Sequence, residues 1–347
     1  MTIISIDAMG GDFGPSVTIP AAIQALTIHS DLTIVLVGDE AKLKKFLSEI
    51  STAKTINNLG DRLKFQHASQ IVEMDESPAL ALKKKKDSSM RVAINLVKEG
   101  HADAAVSAGN TGALMATSRF VLKMVPGIDR PAICSVMPTE DGSVHMLDLG
   151  ANVDSTPEML LQFAYMGSEV CKVSHNIEKP RIHLLNVGSE EIKGNIKVKA
   201  AAELLNNSEL NYLGYIEGDE IFTDKSDVIV CDGFEGNIAL KTSEGAAQLV
   251  INIAKKEFSS SILRKLVAML SIRTFKKIKK RLDPRAYNGA TLAGLKGVVI
   301  KSHGGTDEVG FLAAIEVAMK EAKRQLPERI SSAVSKITAK NENNSDK

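Results

Sequence analysis

The chain has 347 residues, 44% hydrophobic and 24% charged, with a formal net charge of +1. These are ordinary values for a folded soluble protein with a large core, arranged as one big domain or two lobes, and no nucleic-acid partner is expected. No run approaches the roughly 18 consecutive apolar residues of a membrane span, and Cys134, Cys171 and Cys231 lack the number and spacing of a disulfide framework or a thiolate zinc site.

The strand-like "IISID" begins almost at once, without the basic and apolar regions of a signal peptide, so a cytoplasmic protein is expected. One pattern then recurs along the chain: a short β-branched run, a turn rich in Gly, Asn and Asp, and a stretch of helical periodicity. It appears in order as "IISIDAMGGDFGP", "LTIVLVGDE", "ADAAVSAGNTGALMA", "HMLDLGANVDSTPEML", "IHLLNVGSEEIKGN", "DVIVCDGFEGNIALK" and "GVVIKSHGGTDEVGF". Strands alternating with helices imply a mainly parallel sheet covered on both faces, a three-layer α/β/α sandwich. The Gly-rich turns are then expected together at one carboxyl edge, the ligand-binding crevice of such sheets. Residues 1–337 read as one bilobal catalytic domain. The last ten, 338–347, lack apolar side chains after Ala339 and read as a frayed tail.

Residues 246–284 interrupt the alternation. The stretch 246–282 contains no Pro and is helical in composition. Ile262, Leu263, Leu266, Val267 and Leu270 follow an i, i+3, i+4 spacing, which Phe275, Ile278 and Leu282 continue. Residues 259–282 hold eight Lys and Arg and no acid, which leaves −7 for the rest of the chain. An amphipathic helical hairpin protruding from the sheet is predicted.

Several turns carry residues suited to anion chemistry. In "VSAGNTGALMA", Gly109 and Gly112 allow close approach, Asn110 and Thr111 offer side-chain donors, and a helix start adds unpaired N–H groups. Simple helix capping is the alternative for that turn. In "VIKSHGGTD", Lys301 suits a phosphate oxygen and His303 a proton transfer near neutral pH; in a continued strand the two share a face. "LDLGANVDSTPEML" offers Asn152 and Asp154 before a helix opened by Pro157 and capped by Ser155 or Thr156. "NVGSEEIKGN" adds Asn186, Lys193 and Asn195, and "CDGFEGNIALK" adds Asp232, Asn237 and Lys241. Donors dominate, and no G-x-S-x-G elbow is present, which argues against an acyl-enzyme hydrolase. No metal ligand set is seen among the seven His residues, and neither metal nor cofactor is expected.

With "IDAMGGD", "KKKKDSSM", "SAGNTGALMA", "GIDRPA", "LDLGANVD", "LLNVGSEEIKGN", "DGFEGN" and "IKSHGGTD", the chain resembles the bacterial phosphate acyltransferases of phospholipid synthesis, the acyl-acyl-carrier-protein:phosphate transacylases. The match runs in family order from residue 6 to residue 307. The resemblance implies a fold similar to phosphotransacetylases and isocitrate-dehydrogenase-like enzymes, and a homodimer. It also implies that orthophosphate attacks an acyl thioester on acyl carrier protein and releases acyl phosphate. On that chemistry Lys301 is expected to hold phosphate, Asn110 with the turn N–H groups to receive the oxyanion, and His303 to move the proton. Gly109, Thr111, Gly112, Asn152, Asp154, Asn186, Lys193, Asn195, Asp232, Asn237 and Lys241 are the expected binding residues.

Two other readings remain open to the sequence. A nicotinamide-dependent decarboxylating dehydrogenase of similar fold can use Asp148, Asp154 and Asp232 for a divalent metal, although its Arg cluster is not evident. A non-catalytic adaptor for membrane or carrier protein is the other. If the product is an acyl phosphate bound for a membrane glycerol-phosphate acyltransferase, the basic hairpin gains a purpose. Leu263, Arg264, Leu266, Val267, Leu270, Arg273, Lys276 and Lys277 are its expected contacts with membrane or carrier protein, a dimer partner being the third possibility.

Overall fold

The computed structural model describes residues 1–281 and 283–345. Its first half alternates as the sequence predicts: β1 (Thr2–Asp7), α1 (Pro15–Ile28), β2 (Leu32–Gly38), α2 (Glu40–Ile50), α3 (Ala53–Leu59), β3 (Leu63–His67), α4 (Pro78–Lys84), α5 (Ser89–Lys98), β4 (Ala104–Ser107) and α6 (Thr111–Leu122). The hairpin β5 (Ala132–Pro138) and β6 (Ser143–Leu147) leads into α7 (Pro157–His175), β7 (Ile182–Leu185), α8 (Ile196–Asn206), β8 (Tyr212–Ile216) and β9 (Val228–Val230). Three helices come next, α9 (Gly233–Ser259), α10 (Ile262–Leu270) and α11 (Ile272–Arg281), before β10 (Ala290–Ala293), β11 (Val298–Lys301), α12 (Glu308–Lys323) and α13 (Leu326–Ser345).

The eleven strands among the described residues form one sheet in the order β3-β2-β1-β4-β11-β10-β5-β6-β9-β7-β8. The five strands from β3 to β11 are mutually parallel, as are the four from β6 to β8. Between them stand three successive antiparallel pairs, β11 with β10, β10 with β5 and β5 with β6. Three reversals leave the two parallel halves running in opposite directions. Their carboxyl ends therefore open at opposite edges of the sheet, and the single shared edge expected from the sequence is corrected to two.

Each half has its own core. In the first, Ile4, Ile6, Ile34, Leu36 and Val106 are fully buried under Phe311 of α12; in the second, Phe163 of α7 packs over Leu147, Ile182 and Val228. Each such aromatic contributes about 1.5–3 kcal/mol through area removed from water. The strand "LTIVLVG" is buried at every position, as a strand covered on both faces should be.

The predicted hairpin over 246–284 takes a different form. Helix α9 starts at Gly233, well before residue 246, and breaks at Ser261 and Ser271 divide the rest of the stretch into α10 and α11. Ser261 caps α10 by accepting from Arg264 N at 3.2 Å, while the Arg264 guanidinium reaches back to Glu257 Oε2 at 2.6 Å. Arg281 at the end of α11 pairs with Asp141 in the β5–β6 turn at 3.1 Å. The side chains of Leu266, Phe275, Lys276 and Ile278, and residue Leu282, lie outside the described residues. Helix α13 carries helical backbone to Ser345, past the expected boundary at 338; Asp346 and Lys347 lie outside the described residues. None of the described helices is long and apolar enough to cross a membrane.

Candidate active site

At the carboxyl edge of the first half, β1, β4 and β11 end side by side, and the register sets Asp7, Ser107 and Lys301 level with one another. Ser107 Oγ donates to Asp7 Oδ2 at 2.7 Å and accepts from Gly109 N at 3.0 Å. Asp7 is almost wholly buried, and among the described residues its Oδ1 has no hydrogen-bond partner. Burial raises the carboxyl above its ordinary pKa, against the hydrogen bond from Ser107. Lys301 reaches under the neighbouring turn, with Nζ donating to Ala108 O at 3.3 Å and to Ser302 O. Burial pushes its ammonium down to about 8, opposed by the carboxylates of Asp7 and Asp12.

The turns are locked together by backbone. Asp12 N donates to Gly304 O at 3.0 Å, joining the turn after β1 to that after β11. Gly11 has φ of 89° and lies so close that a Cβ there would stand 2.8 Å from Ala108 Cβ, so glycine is required on both counts. Asp7, Asp12 and Ser107 were not singled out from sequence. For Asp7 and Ser107 the signal available was an Asp or Ser as the last residue of a buried strand, directly before a Gly-containing turn.

The structure gives the Asn110 side chain a task other than receiving an oxyanion. Its Oδ1 caps α6 by accepting from Ala113 N at 2.9 Å, and its Nδ2 donates to Met74 O at 2.8 Å and Glu76 O at 3.0 Å. The capping alternative thus holds for this residue, and the amide also ties down the 73–76 loop. The donors left to the turn are the N–H groups of the first turn of α6, from Thr111 and Gly112, which have no intrahelical acceptor. Gly112 packs against Pro78, where a Cβ would come within 2.7 Å of Cγ.

His303 is exposed, because β11 ends at Lys301 and the expected alternation onto a shared face stops there. Its Nδ1 accepts from Gly305 N at 3.1 Å, which leaves Nε2 facing outward. Asn288 holds this turn from below, accepting from His303 N at 2.9 Å and donating to Ser302 Oγ at 2.8 Å.

The remaining expected residues gather at the opposite edge. Asp148 is buried and accepts from the N–H groups of Ile133, Ala151 and Asn152, and burial nonetheless raises its pKa. Asn152 is buried on Asp148 and Pro131 O. Asp154 is exposed and pairs with Lys197 at 2.9 Å, and the cap of α7 is Thr156. Asp232 caps α9 and also accepts from Ser155 N at 2.5 Å; burial opposes its charge, but these N–H donors hold the carboxyl below its usual range. Asn186 donates to Gly188 O at 3.1 Å, Asn195 caps α8, and Asn237 lies against Gly150. Lys193 pairs with Glu190 at 3.0 Å and Lys241 with Glu244 at 2.8 Å. Among the described residues no hydrogen bond or ion pair joins this group to the first. The aspartates of the dehydrogenase reading are each occupied by backbone or Lys.

His145, Cys171 and His175 bring ligand atoms within 4.8 Å of one another, a grouping the linear spacing hides because His145 comes from β6. Burial pushes His145 down to about 3, and the Lys320 ammonium adds to the effect.

Known proteins resemble this chain over nearly its whole length. The family model described as "Fatty acid synthesis protein" matches residues 2–329. The "Phosphate acyltransferase" of Methylococcus capsulatus is 52% identical over 339 residues, 98% of each chain. That of Alcanivorax borkumensis is 54% identical over 332 residues, 95% of this chain and 97% of its own. The chain belongs to the phosphate acyltransferase family. Among solved structures, a phosphotransacetylase from Streptococcus pyogenes superposes with TM-score 0.61 at 17% identity, over 93% of this chain and 94% of that one. A putative 4-hydroxythreonine-4-phosphate dehydrogenase from Salmonella typhimurium gives 0.53 at 14% identity, over 92% of this chain and 98% of that one. The expected phosphotransacetylase-like fold and acyltransferase class are thus both found, and this member of the family places a half-buried Lys, an Asp–Ser pair and a helix start at one sheet edge.

Proposed function

We propose that the chain transfers a fatty acyl group from the thioester of acyl carrier protein to orthophosphate, at the edge formed by β1, β4 and β11. A phosphate oxygen attacks the carbonyl carbon to form the new C–O bond and a tetrahedral oxyanion, whose collapse breaks the C–S bond and releases acyl phosphate and the carrier thiol. The observation that carries this reading is the Lys301 ammonium, half-buried at a strand end under the turn that leads into α6. Phosphate is already anionic and nucleophilic, so the protein needs no Ser or Cys nucleophile. It must hold phosphate beside the carbonyl, where proximity can remove about 7–11 kcal/mol of barrier.

In this reading Lys301 holds the phosphate, and the Thr111 and Gly112 N–H groups receive the carbonyl oxygen as it becomes an oxyanion. Each such donor is typically worth about 2.7–4 kcal/mol. The leaving thiol has a pKa near roughly 8.5, so it departs without obligatory help, and Nε2 of the exposed His303 supplies the proton. The turns at the opposite edge, with Asn152, Asp154, Asn186, Lys193, Asn195, Asp232, Asn237 and Lys241, are read as lobe architecture with a lesser share in binding. The experiment is mass-spectrometric detection of acyl phosphate from acyl-carrier-protein thioester and phosphate, repeated with Lys301→Ala.

The helices after Gly233 supply the second part of the proposal. Leu263 is 71% and Leu270 85% exposed, beside Arg264 and Arg273, and Val267 is exposed as well. An apolar stripe with flanking cations suits an anionic lipid interface, at about 1 kcal/mol per basic residue near the surface. We infer a cytoplasmic, peripherally membrane-associated enzyme that passes acyl phosphate to a membrane glycerol-phosphate acyltransferase. A homodimer is the other use such a face suits.

A further inference from the structure

Phe120 projects from α6 with 52% of its surface exposed. The Arg91 guanidinium lies 5.1 Å from its ring centroid and the Lys123 ammonium 4.8 Å, so one exposed ring holds two cations. Cation–ring attraction at such a site is worth about 0.5–1 kcal/mol, enough to position the charges but not to neutralise them. Phe120, Arg119, Lys123, Met124 and Ala116 line a groove of about 460 Å³ whose other wall is Leu82 of α4. Beyond Leu82, α4 ends in the exposed Lys83 and Lys84. Among the described residues Lys83, Lys84, Arg91, Arg119 and Lys123 have no ion pair. Cations gathered round an apolar groove without carboxylates repel one another, a cost that an acidic partner removes.

The groove is built as part of the same rigid unit as the candidate active site. Helix α6 begins at the Thr111 turn and carries Phe120 nine residues on, about 14 Å along its axis. Asn110 Nδ2 holds the carbonyls of Met74 and Glu76 just before α4, and Gly112 packs on Pro78 at the start of α4. Both walls of the groove are therefore fixed to the turn where the thioester carbonyl has to lie. A substrate carried on a protein needs a docking surface set back from the reaction point, and Phe120 stands about 14 Å along α6 from that turn.

We propose that the groove between α4 and α6 docks the acidic carrier protein that delivers the thioester, its acidic face on Arg119, Lys123, Lys83 and Lys84 and an apolar side chain over Phe120. The proposal rests on the carrier-protein reading of the reaction above. The test uses the full chain with Arg119→Glu/Lys123→Glu and, separately, Phe120→Ala. Rates are measured with the acyl group on carrier protein and on a short pantetheine thioester. The charge-reversal variant is expected to raise KM for the carrier-borne substrate about tenfold or more, with kcat and the short-thioester rates unchanged. Added salt should weaken carrier binding by the wild type more than by the variant.

Carrier binding without turnover is measured by fluorescence anisotropy with labelled carrier protein, so the docking result stands apart from the reaction assignment. A Kd raised about tenfold in the variant supports the groove even if acyl phosphate is never detected. An unchanged Kd overturns it. Equal losses on both substrates would place the effect in the catalytic turn and overturn it too. Loss of binding to vesicles of anionic phospholipid, with carrier Kd unchanged, would make the groove a lipid surface instead.

Discussion

Asp7 and Lys301 stand on either side of Ser107, at the ends of β1 and β11, with Asp7 buried and Lys301 half-buried at the edge of the same five-stranded half-sheet. The carboxylate works against the desolvation that lowers the Lys301 ammonium, which helps keep the cation charged at this half-buried strand end. A cation held there is fixed in position before phosphate arrives.

That relationship predicts a pH profile. Lys301 binds phosphate when protonated, and its pKa is lowered to about 8, so kcat/KM for phosphate is expected to fall as pH rises through that value. Because the Asp7 charge raises the Lys301 pKa, Asp7→Asn should move this alkaline limb to lower pH. Steady-state rates against pH for both proteins check the sign; a limb that moves upward contradicts the arrangement.

Lys301→Ala should lower kcat/KM by about 10²–10³, the usual effect of losing one such electrostatic contact. His303→Ala should cost less, since the thiol leaves readily without an acid, and Asn110→Ala should act through loss of the α6 cap and the 73–76 clamp. A thermal-melt decrease of Asn110→Ala, absent from Lys301→Ala, distinguishes the two causes.

Glu321 predicts a different pH dependence, of stability. It is fully buried on α12, accepts from Thr291 Oγ1, and burial raises its pKa from 4.5 to about 8. A carboxyl with a raised folded pKa contributes stability that is complete below its unfolded value and lost as pH climbs through its folded one. The melting temperature of the wild type should therefore decline between about pH 5 and about pH 8, and that of Glu321→Gln should be flatter across the same window.

Gly236→Ala should destabilise the second half, because a Cβ there collides with the Asp148 carbonyl oxygen, which is backbone and cannot turn aside. A cost of about 1–3 kcal/mol is expected, read from denaturant midpoints. Gly245→Ala, with open space around it on the same helix, is the control.

For the helices beyond the sheet, Leu263→Glu and Leu270→Glu should abolish flotation with anionic vesicles and leave soluble turnover intact. Loss of the dimer in sedimentation with vesicle binding retained would assign the apolar stripe to a partner copy.

The alternation of strands and helices was legible because each strand is a short β-branched run and each turn carries Gly, and the Thr156 and Asn195 caps arise from local chemistry. The reversal between the halves was not, since β10 and β5 pair across a gap of about 150 residues and antiparallel contact of that range leaves no local mark. For the same reason Asp7 and Ser107 looked like strand residues until the sheet aligned them with Lys301. The basic stretch read as a two-helix hairpin because apolar periodicity runs through it. Ser261 and Ser271, which divide it, act by capping rather than by breaking that period.

The most direct test mixes the purified protein with acyl-carrier-protein thioester and ¹⁸O-labelled orthophosphate and tracks products by mass spectrometry. Acyl phosphate carrying the label should appear in step with free carrier thiol, the protein should show no acyl adduct when phosphate is omitted, and Lys301→Ala should lose the product. Thiol released with free fatty acid in place of acyl phosphate, or undiminished acyl phosphate from Lys301→Ala, would contradict phosphate transfer at this edge.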